Sequence, residues 1–574
     1  MQMPQLTPPK NKRIQNEYQT LFLGYNAKKR AGGQEFRDMR NMSSDEYPML
    51  APRKKRRLVR TITGGTMLGG DTLAWVDSGT LYYDGSPVVE NVSADAQLVR
   101  MGAYLIAWPD KIIYNTHTGE TTRMDHTWQG DMVHARPCML SGQELAYTAA
   151  EEAPDSPRDG QYWLNTGTGG LYQFTGGTWQ GIDTVYTRLE AAGIGDGFGE
   201  YDVVAISGMD YEAFNLAAAT IYTRGTDYIV IATGEMVDVD VNGSISIKRE
   251  APDLDWIIES GNRLWGCSNA THEIRCSKLG DPTNWNSYLG ISTDSYAATV
   301  GSVGDFTGIS AYHGYVHFWK EERVHRLYGT QPSNFQLTET QLRGVKQGCE
   351  KSLCIINELQ CYMSRDGMMR YDGSSPVSMQ DPLGDHVMER VVCGGHRNKL
   401  YVSCLMDDSP VLMAMDLQRG LWHIEDDTRA VAIANTDEGD FFLDDGGMIW
   451  SIDGEHSRLE DGTARDEDEF AWWAETGDML TQSLMAKTLR QVAVRLEMER
   501  GARIMMDVMY DSSGEWIRTM DYSTENKKTV TLPFRARGCD HISMRYSGTG
   551  RVIVHGLCRT YHLRDGKTCL NFRQ

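Results

Sequence analysis

Three groups of side chains in this sequence have types and spacings that could do chemistry. Histidines 313, 317 and 325 fall close together, and His313 and His317 are an even number of positions apart, which predicts a shared face of one strand. A metal site would need further ligands than these supply. Cys349, Cys354 and Cys361 form a second group, and Cys267 and Cys276 flank His272, but none has a C-x-x-C spacing. Free cysteine is commonly a small core residue, so buried structural thiols are expected. The third group is made for recognition: the run Arg53-Lys54-Lys55-Arg56-Arg57, and the aromatics Trp163, Tyr172 and Trp179. Guanidinium and ammonium groups meet carboxylates or phosphates, whereas exposed aromatic planes stack on the C–H faces of sugars.

Catalytic constellations are missing by motif. Ser512-Ser513-Gly514-Glu515-Trp516 is a partial echo of the Ser-x-Asp-x-Gly-x-x-Trp box and reads better as a turn. Gly193 to Gly199 is glycine-rich, but no Gly-Lys-Ser/Thr follows it and no βαβ unit surrounds it. No nucleophile elbow or H-E-x-x-H occurs. The expectation is therefore no catalytic residue, no metal and no cofactor, in a protein that is not an enzyme.

The elements that must position these groups are short strands. Leu81-Tyr82-Tyr83-Asp84-Gly85-Ser86-Pro87-Val88 returns almost letter for letter at Met369-Arg370-Tyr371-Asp372-Gly373-Ser374-Ser375-Pro376-Val377, after a further Asp366-Gly367. Asp-Gly between alternating runs predicts primed hairpin turns, because glycine supplies the positive φ. Strand pairs recur, as at Tyr104 to Asn115, Trp256 to Cys267, Tyr315 to Tyr328, Lys399 to Asp416 and Asp440 to Asp453. Repetition of one antiparallel unit predicts a mainly β chain built on a β-propeller. Helical periodicity is weak throughout.

The expected order is an extended N-terminal arm (1–57), a first part of the propeller (58–146) and an inserted aromatic hairpin module (147–200). The remaining blades (201–456), an acidic strand-poor linker (457–470) and a C-terminal β-sandwich (471–574) follow. The hairpin module must use its aromatics partly as its own core, since a small sheet has no other.

Charge sharpens this division. Residues 1–60 hold fourteen Lys/Arg against five acids, and with a whole-chain net charge of −21 the remainder carries −30. Such a balance excludes a general nucleic-acid binder. It predicts instead an arm that orders on an acidic surface, supplied by another copy or a neighbour. No run of 18 apolar residues and no N-terminal apolar h-region occur, so neither a membrane span nor a secretory signal is expected. Eleven cysteines, an odd number, favour reduced thiols.

Two stretches carry a family resemblance. Phe22-Leu23-Gly24-Tyr25, then Glu35-Phe36-Arg37-Asp38-Met39-Arg40-Asn41-Met42, then Tyr47-Pro48-Met49-Leu50-Ala51-Pro52-Arg53 resembles the opening of structural proteins of tailed bacteriophages, nearest to the tail nozzle, hub and stabilisation proteins. Asn262-Arg263-Leu264-Trp265-Gly266, Ile274-Arg275-Cys276-Ser277 and Gly280-Asp281-Pro282-Thr283-Asn284-Trp285 resemble their propellers in the same order. The sequence departs from the family at Lys54 to Arg57, where a glycine-containing turn is the usual element.

The resemblance implies a virion tail component that forms a homo-oligomeric, sixfold ring. Its neighbours would be a portal or adaptor ring and tail fibre or spike proteins, with genomic DNA passing transiently through the channel and no stable membrane insertion. Phe36, Tyr47 and Arg53 to Arg57 would be its interaction residues. The alternatives are a receptor-binding or glycan-binding tail protein using Trp163, Tyr172 and Trp179, and a propeller glycoside hydrolase.

Overall fold

The structure is a computed structural model and describes residues 14–28, 32–481, 486–523, 527–533 and 537–563. The described chain is mainly β, with only single 3-10 turns such as Glu212–Phe214 and Asp381–Leu383 as helix. It divides into two compact units: the described parts of Met1–Asp95, Trp319–Val324 and Thr340–Gln574 in one, and Ala96–Phe318 with His325–Glu339 in the other.

The first unit contains four antiparallel meanders among its described residues. One runs from Met67–Leu68 through Ala74–Asp77 and Thr80–Tyr83 to Ser86–Glu90, a second from Cys354–Ile356 to Val377–Ser378, and a third from Met388–His396 to Leu421–Asp426. The fourth, Ala430–Thr436, Gly439–Asp444 and Met448–Ser451, takes its next strand, Arg57–Thr61, from the other end of the chain. Inner strands are buried on both faces, as in Leu359–Ser364 and Gly439–Asp444, so their apolar residues stand in succession, Cys361-Tyr362-Met363 and Phe441-Phe442-Leu443, rather than in strict alternation.

The predicted primed turn forms at Asp84-Gly85, where both residues have positive φ and Tyr83 pairs with Ser86. At its counterpart in the repeat, Asp372-Gly373, only Gly373 has positive φ, and the pairing resumes at Arg370 with Val377, so the two hairpins differ in their turn.

The expectation for residues 1–57 is corrected over its described part. Ile14–Gln19 pairs along Val552–Leu563, and Phe36–Arg40 pairs with Ala471–Thr476. Each strand completes one sheet of the C-terminal sandwich, whose five-stranded sheets share a core of Leu489, Val492, Val494, Ile504, Met506, Met544 and Tyr546. The arm therefore orders on its own chain. The sequence conceals this because the partner strands lie some five hundred residues away. Residues 1–13 lie outside the described part.

In the second unit, Gln97–Met101 to Thr121–Arg123 and Trp256–Glu259 to Tyr296–Thr299 are further four-stranded meanders, and the greater part of another, Gly308–Tyr312 to Gln336–Gln341, belongs to it as well. Between the first two stands an element absent from the sequence reading. His126–Cys138, Tyr186–Glu190, Tyr228–Ala232, Ala219–Gly225, Val203–Met209 and Val239–Arg249 close into a six-stranded barrel. Its interior is Val133, Ala135, Leu189, Ile206, Ile221, Ile229, Ile231, Ile245 and Ile247.

Residues 203–249, expected to be blades, and the end of 58–146 therefore belong to this barrel. A strand with one buried face has the same period-two pattern in a meander and in a barrel, and only the long-range pairing distinguishes them. His126–Cys138 supplies that pairing by bonding to both Tyr186–Glu190 and Val239–Arg249. The aromatic hairpins sit inside the barrel's sequence as a four-stranded sheet, Tyr147–Ala150, Tyr162–Asn165, Leu171–Thr175 and Thr178–Gly181.

Candidate interaction site

The basic run is split by its backbone. Residues up to Pro52 lie in a short two-stranded pairing of Met42–Ser43 with Ala51–Pro52, and Arg57 opens the strand Arg57–Thr61. Between them the chain sends Arg53 and Arg56 inward and leaves Lys54 and Lys55 exposed.

Arg53 forms a bidentate pair with Glu467 (2.7 Å to each oxygen), reaches Asp426 at 3.1 Å and donates through Nε to Asn41 Oδ1 at 2.8 Å. Its guanidinium lies 4.2 Å above the Phe470 ring. Arg56 donates to Glu425 at 2.5 Å, to Asp426 at 2.8 Å and to Thr428 Oγ1 at 3.2 Å, over the Phe442 ring. Arg57 holds Glu460 with two bonds of 2.7 and 2.9 Å and Asp466 with one of 2.6 Å. Planar forks facing carboxylates give strong, directional bonds, a geometry lysine could not reproduce.

The electrostatics are those of a closed cluster. Burial works to raise the Asp426 pKa, but Arg56 and Arg53 outweigh it and hold the carboxyl at about 2. Glu467 is likewise below the ordinary glutamate value, with burial opposing and Arg53 and Arg56 prevailing. Burial disfavours the charge on Arg56, yet Asp426, Glu425 and Glu467 raise its pKa further. The acidic surface expected from another molecule is thus supplied by this chain, from the strand Leu421–Asp426 and the linker 457–470. Sequence reasoning missed Glu425, Asp426 and Glu467 as partners; the acidic composition of the linker was their only signal.

Phe36 is fully buried in the core shared with the sandwich, and its amide donates to Gly24 O. Tyr47 is half-buried beneath the Arg419 guanidinium, 4.8 Å from its ring. Both residues therefore pack within the chain. Lys55 forms an exposed pair with Glu469 at 2.7 Å; the Lys54 carbonyl accepts from Arg53 Nη1 at 3.0 Å, while its ammonium makes no hydrogen bond or ion pair among the described residues.

The aromatic sheet brings its predicted residues together. Trp163 pairs across strands with Tyr172, and Phe174 with Trp179, so alternation puts all four on one face. Trp163 stacks on Tyr172 at 5.0 Å and meets Trp179 edge-on at 5.5 Å, while its Nε1 donates to Ala150 O. The opposite face contributes Leu171 to a small core with Leu145 and Val185. Trp163 is only 7% exposed, which withdraws its ring from the proposed sugar stack. Tyr172, Trp179 and the unforeseen Phe174 are half-buried and keep accessible ring area.

The histidine group does not assemble as expected. His317 lies buried in Tyr315–Trp319, whereas His313 is in the preceding turn with φ of 49°. Burial first, and Arg326 next, lower the His317 pKa to about 4. The ten described cysteines are free thiols, buried or half-buried, and burial pushes Cys276 and Cys404 up to about 12.

No protein-family model and no curated protein matches the sequence. Solved structures align over long stretches with low agreement. PorZ, a surface component of the type-IX secretion system of Porphyromonas gingivalis, aligns over 82% of this chain and 70% of its own at 12% identity and a TM-score of 0.25. A phage phi92 endosialidase aligns over 90% and 69% at 8% identity and 0.22, and an exo-β-1,3-galactanase of Phanerochaete chrysosporium over 52% and 94% at 10% identity and 0.22. Alignments at this level carry no inference about what this chain does.

Proposed function

We propose that this chain is a structural component of a tailed-phage tail, of the nozzle or hub type, whose four-stranded meanders are propeller blades. The observation that carries the reading is the way the entry segment before Arg57 is locked. Arg57–Thr61 completes the last meander, as a propeller's closing strand would, and Arg53 and Arg56 bind that entry segment to Glu425, Asp426 and Glu467. The locked segment follows directly on the stretch Phe22 to Arg53 that resembles the tail-protein opening.

A protein that must hold its shape under load benefits from a closing strand that cannot peel away, because sheet edges with few contacts are ordinarily the first parts to open. On this reading the protein works by holding and channelling. Copies assemble into a ring beside portal or adaptor and fibre or spike proteins, and the surplus of acid weakens adhesion of passing DNA.

A second reading rests on a separate observation, the accessible edges of Tyr172, Phe174 and Trp179 on one face of the small sheet. These favour a glycan-binding tail protein. Light scattering of the purified protein, run beside a binding screen on host-surface polysaccharide, separates the two. Ring-sized particles without glycan retention support the first reading. Monomers or trimers that retain glycan, with loss in Trp179→Ala, replace it with the second.

A further inference from the structure

The two lysines that the arginine cluster leaves outside face a cleft. Its cavity of about 550 Å³ lies in the first unit, between the entry segment Pro52 to Lys55, the linker end Glu469-Phe470 and two hairpin turns of the sandwich. The turns join Lys487–Met498 to Arg503–Tyr510 and Ile542–Thr549 to Val552–Leu563. Each carries a glycine in the left-handed region, Gly501 at φ 83° and Gly550 at φ 68°, which makes the tight turn that sets Glu499, Arg500 and Arg551 along the cleft.

The charge of this cleft opposes that of the molecule. Arg53, Lys54, Lys55, Arg500 and Arg551 line it against only Glu469 and Glu499, a surplus of three cations in a chain of net charge −21. Arg53 is committed to Glu467, and Arg551 to Glu46 and Glu499. The Lys54 ammonium makes no hydrogen bond or close ion pair among the described residues, and its charge acts only at longer range, on Asp45 and Asp453. The Lys55–Glu469 pair is about half exposed on both sides, and a pair of that kind is weak enough to exchange for an incoming carboxylate.

We infer that this cleft is a docking site for an extended acidic segment of a partner protein, a reading that deepens the structural role proposed above. Carboxylates of the segment meet Lys54 and Lys55. Glu469 and Glu499 suit a peptide, whose backbone N–H groups they can accept, and they disfavour a nucleic-acid backbone, which has only phosphates to offer them. Phe470 and Pro52 give the segment's apolar side chains a contact beside the charges. The division of labour within Arg53 to Arg57 follows: arginine forks hold the fold, and the flexible point charges of lysine receive the guest.

The test is fluorescence anisotropy on the full chain with two labelled, capped probes: hexaglutamate, and a peptide copying the exposed acidic stretch 150–160 of this chain. The expected result is saturable binding at low salt, weakened tenfold or more in the double variant Lys54→Ala/Lys55→Ala and abolished by high salt. Both lysines are exposed, so the variant should fold, with unchanged circular dichroism and melting as the control. Binding of the 150–160 peptide assigns the partner to a second copy, and binding of hexaglutamate alone assigns it to a different chain. Failure of both probes, undiminished binding in the double variant, or tighter lysine-dependent binding of a single-stranded DNA oligonucleotide overturns the inference. None of these outcomes bears on whether rings form, so the inference can fail while the structural reading stands.

Discussion

Replacing Arg56 with methionine tests the internal charge cluster at its most buried point. The Arg56 side chain is 4% exposed and faces Glu425, also 4% exposed, and Asp426. Removing it leaves two carboxylates in a space built around a cation. Breaking a buried ion pair on one side costs about 3–5 kcal/mol. Arg53 still reaches Asp426 at 3.1 Å and Glu425 at 3.9 Å, and the Thr428 amide still donates to Asp426, so the lower end, about 3 kcal/mol, is expected. At roughly 2–4 °C per kcal/mol, the first unit should melt about 6–12 °C lower in a calorimetric scan.

The companion variant Arg56→Met/Glu425→Leu should recover much of the loss, because a buried pair replaced on both sides by apolar groups is often tolerated. Lys55→Ala, which removes an exposed pair, should cost no more than about 1 kcal/mol. If Arg56→Met and Lys55→Ala melt alike, the cluster does not lock the entry segment and the reasoning fails.

Two pH effects follow from the same chemistry. Asp426, held at about 2 against an ordinary 3.8, contributes stability that is present above pH 4 and is lost as pH falls towards 2; Asp426→Asn should flatten the acid limb of a melting-temperature profile. Burial works against a charge on His396, but Asp440 and Asp453 on either side raise its pKa to about 9, so its contribution is full below about pH 6.5 and is lost as pH rises through 9. His396→Asn should remove that alkaline loss in the same assay. In the small aromatic sheet, Trp163→Ala should cost about 3–5 kcal/mol and expose residues 147–181 to limited proteolysis, while the half-buried Trp179→Ala should leave cleavage nearly unchanged.

Much of the strand content was legible because hairpins are local. Asp84-Gly85 states its own turn, and the apolar runs at Tyr104–Trp108 and Cys361-Tyr362-Met363 state burial on both faces. The barrel was not legible, since Ile221, Ile231 and Ile247 alternate just as blade residues do and closure depends on which distant strand each meets. The arm was misread for a related reason. Its polar strand Ile14–Gln19 has little apolar pattern, and what orders it is the free edge of Val552–Leu563.

At the candidate site, the basic run was visible but its partners were not. A charge run looks solvated in sequence whether or not buried carboxylates await it, and only folding separates Arg53 and Arg56 from Lys54 and Lys55. Trp163, Tyr172 and Trp179 lie on three strands of one sheet where two were expected, and their mutual packing, which buries Trp163, includes Phe174 as a fourth member.

Negative-stain electron microscopy of the purified full chain tests the central claim most directly. The account predicts closed rings of identical subunits around a central opening, persisting at physiological salt. A field of isolated single particles, under conditions where the protein clears or cleaves a host polysaccharide, would contradict it.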